Sequence, residues 1–243
     1  MTDPKKTKLK KWLKRPPAKS LLGDLSHAVS LERFGPKLSD RVCWRAAISE
    51  PKIALTFDDG PHAFLTHRIL NVLQALDVPA TFFLVGKNVK SHPQVAQDIA
   101  RAGHEIGNHT YNHSHLTLLS SKKIINEIIR TDTLLRSIDG VEPRFLRPPF
   151  GLFTKRVLDI AERLGYKIVV GDVYPRDPQR PGKEKIVERV LDRTEPGSII
   201  ILHDGGNSRN VDRSQTIEAI KEIIPQLKQK GFIFLRMSDL LPH

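Results

Sequence analysis

The chain has 243 residues, 39% of them hydrophobic, and a net charge of +12, which is enough apolar material for one sizeable core and little for a second. Its single cysteine, Cys43, excludes an intrachain disulfide and a thiolate metal cluster, so any metal must rest on histidine and carboxylate. An aromatic content of 6% without a stacking motif gives no footing for nucleic acid beyond charge, and none is expected as a partner.

The charge is uneven, because residues 1 to 19 hold eight Lys or Arg and one Asp, leaving +5 for residues 20 to 243. This proline-broken segment reads as a solvated tail, with peripheral contact to an anionic membrane or polymer as the sharper alternative. Lys10, Lys11, Lys14, Arg15, Pro16 and Pro17 interrupt it, so no signal peptide is expected. No stretch approaches the roughly 20 apolar residues of a membrane-spanning helix. A soluble protein, cytoplasmic by default, is the expectation. Leu21, Leu22, Leu25, Val29, Leu31 and Phe34 suggest one short helix. Residues 1–50 are therefore taken as tail and lead-in, and 51–243 as one domain.

From Pro51 onward, short β-rich apolar runs alternate with segments of helical periodicity. The predicted strands are Ile53–Phe57, Ala80–Val85, His104–Asn108, Phe145–Arg147, Lys167–Gly171, Ser198–Leu202 and Phe232–Arg236. Between them lie predicted helices Thr66–Leu76, Val95–Ala102, Lys123–Ile138, Lys155–Leu164, Glu184–Asp192 and Thr216–Lys228. In Lys123–Ile138 the positions Ile124, Ile125, Ile128, Ile129, Leu135 and Ile138 imply one buried face. Gly103, Gly165 and Gly231 stand where helix-terminating glycines belong. Strict strand and helix alternation predicts an α/β fold, a distorted (β/α) barrel of about seven strands, with an open doubly wound sheet as the alternative.

Reactive groups on such scaffolds sit just past the carboxyl ends of strands. The first strand ends in Asp58-Asp59-Gly60-Pro61, two adjacent carboxylates that stay ionised together only beside a cation. The third ends in Asn108-His109-Thr110-Tyr111-Asn112-His113, whose four-residue spacing suits two ligands of one metal. After the fourth, Pro148 and Pro149 remove backbone donors next to Arg147 and leave the Phe150 amide as the next free N–H, a plausible oxyanion donor. The sixth ends in Leu202-His203-Asp204. Each signal is modest alone, and an isolated Asp-Asp-Gly is more often a solvated turn. Their convergence on one barrel mouth is what carries weight.

The ordered set Thr-Phe-Asp-Asp-Gly-Pro from Thr56, His-Thr-x-x-His from His109, Arg-Pro-Pro-Phe-Gly from Arg147 and Leu-His-Asp from Leu202 resembles the NodB-like polysaccharide deacetylases, carbohydrate esterase family 4, over roughly Pro51 to Leu241. The resemblance implies a deformed (β/α) barrel and metal-dependent hydrolysis of N-acetyl groups on a carbohydrate substrate, an amino sugar in chitin oligomers, peptidoglycan or a related glycan. It implies Asp59, His109 and His113 as ligands of a divalent ion, Zn2+ first, with Co2+ or another ion open. Asp58 corresponds to the base with Arg147 as its partner, the Phe150 amide to an oxyanion donor, and His203 to the acid. His203 needs an acidic partner, which Asp172 or Asp177 can supply, and the motif match favours Asp177.

Two departures bear on substrate. Phe150 stands where Tyr is common, and Pro178 where Trp usually helps to wall the acyl group, a role left to Tyr174 or Leu202. The basic tail and absent export signal keep a deacylase of a lipid-linked sugar or small amide in view, beside an inactive carbohydrate-binding protein.

Overall fold

The computed structural model describes residues 40–206 and 211–241. The basic tail and the expected helix over Leu21 to Phe34 lie outside them. Within the described residues an eight-stranded, wholly parallel sheet is surrounded by helices. Its strands are β1 (Val42–Cys43), β2 (Lys52–Asp58), β3 (Thr81–Leu84), β4 (Glu105–Asn108), β5 (Phe145–Leu146), β6 (Lys167–Val169), β7 (Ile199–His203) and β8 (Ile233–Leu235). All seven predicted strands are there, and β1 adds an eighth that is too short to leave an apolar signature.

The helices are α1 (Leu65–Ala75), α2 (Gly86–Ser91), α3 (Pro93–Arg101), α4 (Ser121–Arg136), α5 (Lys155–Arg163), α6 (Lys183–Arg193), α7 (Ser214–Gln229) and α8 (Met237–Leu240). Gly103, Gly165 and Gly231 each take a left-handed φ, 80°, 81° and 89°, directly after helices, as a terminating glycine should. No helix among the described residues is long and apolar enough to cross a membrane.

The strand order is β1-β6-β5-β4-β3-β2-β7, with β8 also on β2. A parallel bridge between Val173 and Ile200 joins the chain beyond β6 to β7 and brings the two ends of the sheet together. Parallel strands covered on both sides are apolar throughout, which is why β2 is buried from Ile53 to Asp58. Alternation sends Ala54, Phe83, Phe145, Val169 and Ile199 into the barrel, against Met237 and Leu240 of α8. It sends Ile53, Leu55, Phe57, Ile200 and Leu202 outward into the core shared with helices, including Ile217 and Ile220 of α7.

Register decides where the chemistry falls. Asp58 of β2 lies opposite Phe83 of β3 and His203 of β7. Leu84 lies opposite Asn108, and Asn108 opposite Leu146. The residues just beyond these rungs, Asp59, His109 and Arg147, thus emerge at one level on one rim.

Candidate active site

Asp59 closes the turn after β2 with φ 73°, an unfavourable region that its surroundings hold in place. Asn88 Nδ2 donates to its carbonyl at 2.8 Å, and Val85 N–H donates to the Gly60 carbonyl at 2.9 Å. A side chain at Gly60 would overlap the Asp204 carboxylate, and one at Gly205 would overlap the Asp59 carbonyl. The β2 and β7 loops therefore interlock, and glycine is required where they touch. Asp204 is fully buried, accepts from Thr66 Oγ1 at 2.5 Å, and is pushed up to about 7 by burial and the nearby Asp59 charge.

His109 and His113 bring their rings within 4.8 Å of each other, centroid to centroid. His109 Nδ1 lies 2.7 Å from the Arg147 carbonyl. A carbonyl only accepts, so Nδ1 carries a proton, and in the neutral ring the lone pair is then on Nε2. That Nε2 is 3.5 Å from Asp59 Oδ1, and His113 Nε2 is 3.2 Å from the same oxygen. Burial, helped by neighbouring His109, pushes the His113 imidazole down to about 4, leaving it neutral.

Among the described residues, Asp59, His109 and His113 form the one group of three such side chains whose donor atoms lie within 4.8 Å of one another. Asp59 Oδ1 is buried with no hydrogen-bond partner. An orphaned carboxylate oxygen facing a lone pair is costly unless a cation lies between. The residues therefore fit a divalent ion, with a donor set that leaves coordination positions open.

On one side of this group lies an ion pair. Arg147 Nη1 donates to Asp58 Oδ1 at 2.6 Å and to Thr56 Oγ1 at 2.7 Å, and Thr56 in turn donates to the Ile200 carbonyl at 2.7 Å. The guanidinium lies 4.0 Å from the Phe83 ring centroid. Burial pulls Arg147 down from its ordinary value against the opposing charge of Asp58. Thr56 is a participant that the sequence reading passes over, although period-two alternation puts it on the face of Asp58.

On the other side, His203 Nδ1 meets Asp177 Oδ1 at 2.9 Å, and the His203 amide donates to Asp177 Oδ2 at 3.1 Å. Thr216 Oγ1 donates to that second oxygen at 2.9 Å. Of the two acids open in the sequence, Asp177 is therefore the one on His203. Asp172 instead accepts from Ser198 Oγ and the Ile199 amide, at 3.0 and 2.7 Å. Burial lowers the His203 imidazole, but the charge and hydrogen bond of Asp177 outweigh it and push it up to about 9. Pro178 stands in the turn Asp177–Gln179 that presents the acid.

Phe150 has φ 61° and a half-exposed ring, stacked on His115 at 3.9 Å and edge-on to His113 at 4.6 Å. Its amide donates to no described residue. Tyr174 turns its ring edge to His203, with centroids 5.9 Å apart. Leu202 requires a correction: alternation along β7 turns it away from His203, and it is fully buried in the helix-side core. The residue sharing the inward face of His203 is Ile201, 8% exposed.

The polysaccharide deacetylase family model matches residues 46–169. A peptidoglycan-N-acetylglucosamine deacetylase of Bacillus cereus is 39% identical over 204 residues, 83% of this chain and 93% of that protein. This chain belongs to the polysaccharide deacetylase family. A chitooligosaccharide deacetylase of a Bradyrhizobium species is 38% identical over 188 residues, 74% of this chain and 86% of its own. The crystal structure of a peptidoglycan N-acetylglucosamine deacetylase bound to a hydroxamate superposes with a TM-score of 0.79 at 34% identity, covering 83% of this chain and 92% of its own. A family pseudoenzyme from Bacillus anthracis superposes at 0.76 with 29% identity, covering 84% and 70%. Family membership thus comes with the barrel, and the acid–base groups of each chain have to be read individually.

Proposed function

We propose that this polysaccharide deacetylase removes the acetyl group from N-acetylglucosamine units of peptidoglycan or chitooligosaccharides, releasing acetate and leaving a free amine. The observation that carries the reading is the orphaned Asp59 oxygen between two imidazoles, flanked by the Asp58–Arg147 and His203–Asp177 pairs. Asp59, His109 and His113 would hold the ion, with zinc the first choice for two imidazoles and one carboxylate and cobalt the second. A divalent ion there supplies Lewis-acid polarisation of the acetamide carbonyl and makes nearby water more acidic.

This chain's own groups handle the protons. Arg147 occupies Asp58 Oδ1 and leaves Oδ2 to accept a proton from the attacking water. The Phe150 amide donates to the oxyanion that develops as the carbonyl becomes tetrahedral. His203, held at Nδ1 by Asp177, gives its Nε2 proton to the amine nitrogen as the C–N bond breaks.

The deciding experiment is acetate release from chitooligosaccharides and peptidoglycan by chelator-stripped protein, before and after zinc, beside an Asp58→Asn control. Activity that returns with zinc and is missing in the control supports the reading. Zinc binding without turnover on either glycan would sink it and group the chain with the family's pseudoenzymes.

A further inference from the structure

The periodicity of α4 leads one to expect isoleucines along its buried face, yet Ile125 and Ile129 are exposed while Glu127 is only 5% exposed. Both oxygens of this buried carboxylate are taken by a single residue. Oε2 accepts the Asn112 backbone N–H at 2.8 Å and Oε1 accepts Asn112 Nδ2 at 2.6 Å. Both bonds come from neutral amide groups rather than from a cation. A buried carboxylate held by neutral donors is a costly way to pack a helix, and an apolar side chain would serve packing better.

What Glu127 grips gives it a different purpose. Asn112 directly precedes His113, in a loop where Thr110 and His113 both have left-handed φ, 65° and 55°. That region is unfavourable for a β-branched residue, so the loop conformation is imposed from outside. Asn108 Oδ1 holds the Thr110 amide at 2.9 Å, and Gly86 and Lys87 of α2 hold the Thr110 and Tyr111 carbonyls at 2.9 and 3.0 Å. Glu127 holds the last residue before His113.

We infer that Glu127 is a positioning residue for His113: its two-point grip on Asn112 aims the imidazole at Asp59 and presets the three donors before a cation arrives. The inference rests on the reading of Asp59, His109 and His113 as a cation site.

The test is zinc titration by calorimetry into chelator-stripped full-length protein, with the melting temperature of the stripped protein measured alongside. In Glu127→Leu no oxygen remains to accept from Asn112. Zinc affinity should fall about 10–100-fold, the range for losing a group that orients a ligand, while the stripped protein melts close to the parent. Glu127→Gln keeps both hydrogen bonds, because its Oε1 accepts the Asn112 backbone N–H and its Nε2 donates to Asn112 Oδ1 once that side-chain amide turns over, and should retain most of the affinity.

Parental affinity in Glu127→Leu overturns the inference. So does a lower melting temperature with lost affinity that Glu127→Gln fails to retain, because Glu127 would then serve the fold alone. If Glu127→Leu does not fold, Asn112→Ala, which keeps the backbone bond, takes its place; a several-fold loss supports the role and parental affinity refutes it. Failure of the cation site itself looks different: the parent binds no zinc, or His113→Ala binds it as tightly, and both readings fall together.

Discussion

The lower and upper halves of the barrel interior are built from the same strands and the same inward-facing positions, yet they have opposite chemistry. Ala54, Thr56 and Asp58 climb the inner face of β2, opposite Ile199, Ile201 and His203 on β7. The lowest rung packs with Phe145, Val169 and Met237, and the highest carries the carboxylate and the imidazole. Polarity rises over two rungs, with the Thr56 hydroxyl at the boundary, tied to Arg147 above and to the Ile200 carbonyl. Such a division separates stability from chemistry along one axis: lower positions should report in melting, upper ones in rate. The largest effect expected at the top is that of Asp58→Asn, which keeps shape but removes the carboxylate proposed as the base and should lower kcat by about 10²–10⁴-fold. A variant that keeps parental acetate release would remove Asp58 from the chemistry.

The matching change at the bottom is Ile199→Ala. It should cost about 2–5 kcal/mol of unfolding free energy, read by denaturant titration, with zinc affinity unchanged. Arg147→Met sits between the halves and should break the division, because it leaves Asp58 buried without its cation. About 3–5 kcal/mol of stability should go, together with activity. If Arg147→Met lost only rate, the ion pair would be an attachment to the fold rather than part of it.

A milder test concerns His203, the proposed acid. His203 in the folded protein stands at about 9, above its ordinary 6.5, because of Asp177. A raised pKa means that stability from this pair is fully present below about 6.5 and is lost as pH rises through about 9. In Asp177→Asn the alkaline limb of kcat/KM should move to lower pH, and the fall in stability between those values should flatten. An unmoved limb would show that His203 does not set it.

How much of this was legible in sequence follows from which forces are local. Strands such as Ile53–Phe57 and Ser198–Leu202 are visible because burial on both faces makes them continuous apolar runs. The rim residues are visible because they follow those runs directly. Val42–Cys43 is too short to carry a pattern, and Gly86–Ser91 is a single short helix without an apolar stripe. The periodicity of α4 misleads at Ile125 and Ile129, because the buried face runs through Ile124, Glu127, Ile128, Thr131 and Leu135 and these two isoleucines fall roughly 100° or more around the helix from Ile124. No local signal links Glu127 to Asn112, fifteen residues apart. Asp177 over Asp172 is also a tertiary matter, settled by which loop reaches β7 at the height of His203.

The smallest effect expected separates neighbours on one strand. Leu202 faces the helices and Ile201 faces the interior one rung below His203, where it fills the space that a side chain at Gly171 would need. Trimming one methyl from an aliphatic side chain changes packing by about 0.5–1.5 kcal/mol, and a methylene of substrate is discriminated by about 1–3 kcal/mol. Ile201→Val should therefore shift the ratio of propionyl to acetyl release from N-acylglucosamine oligomers by several-fold, along with a slight fall in melting temperature. Leu202→Val should lower the melting temperature slightly and leave that ratio where it was. Should Leu202→Val move the ratio and Ile201→Val leave it alone, the strand would present the opposite face to the acyl group, and the inward ladder from Ile199 to His203 would have to be abandoned.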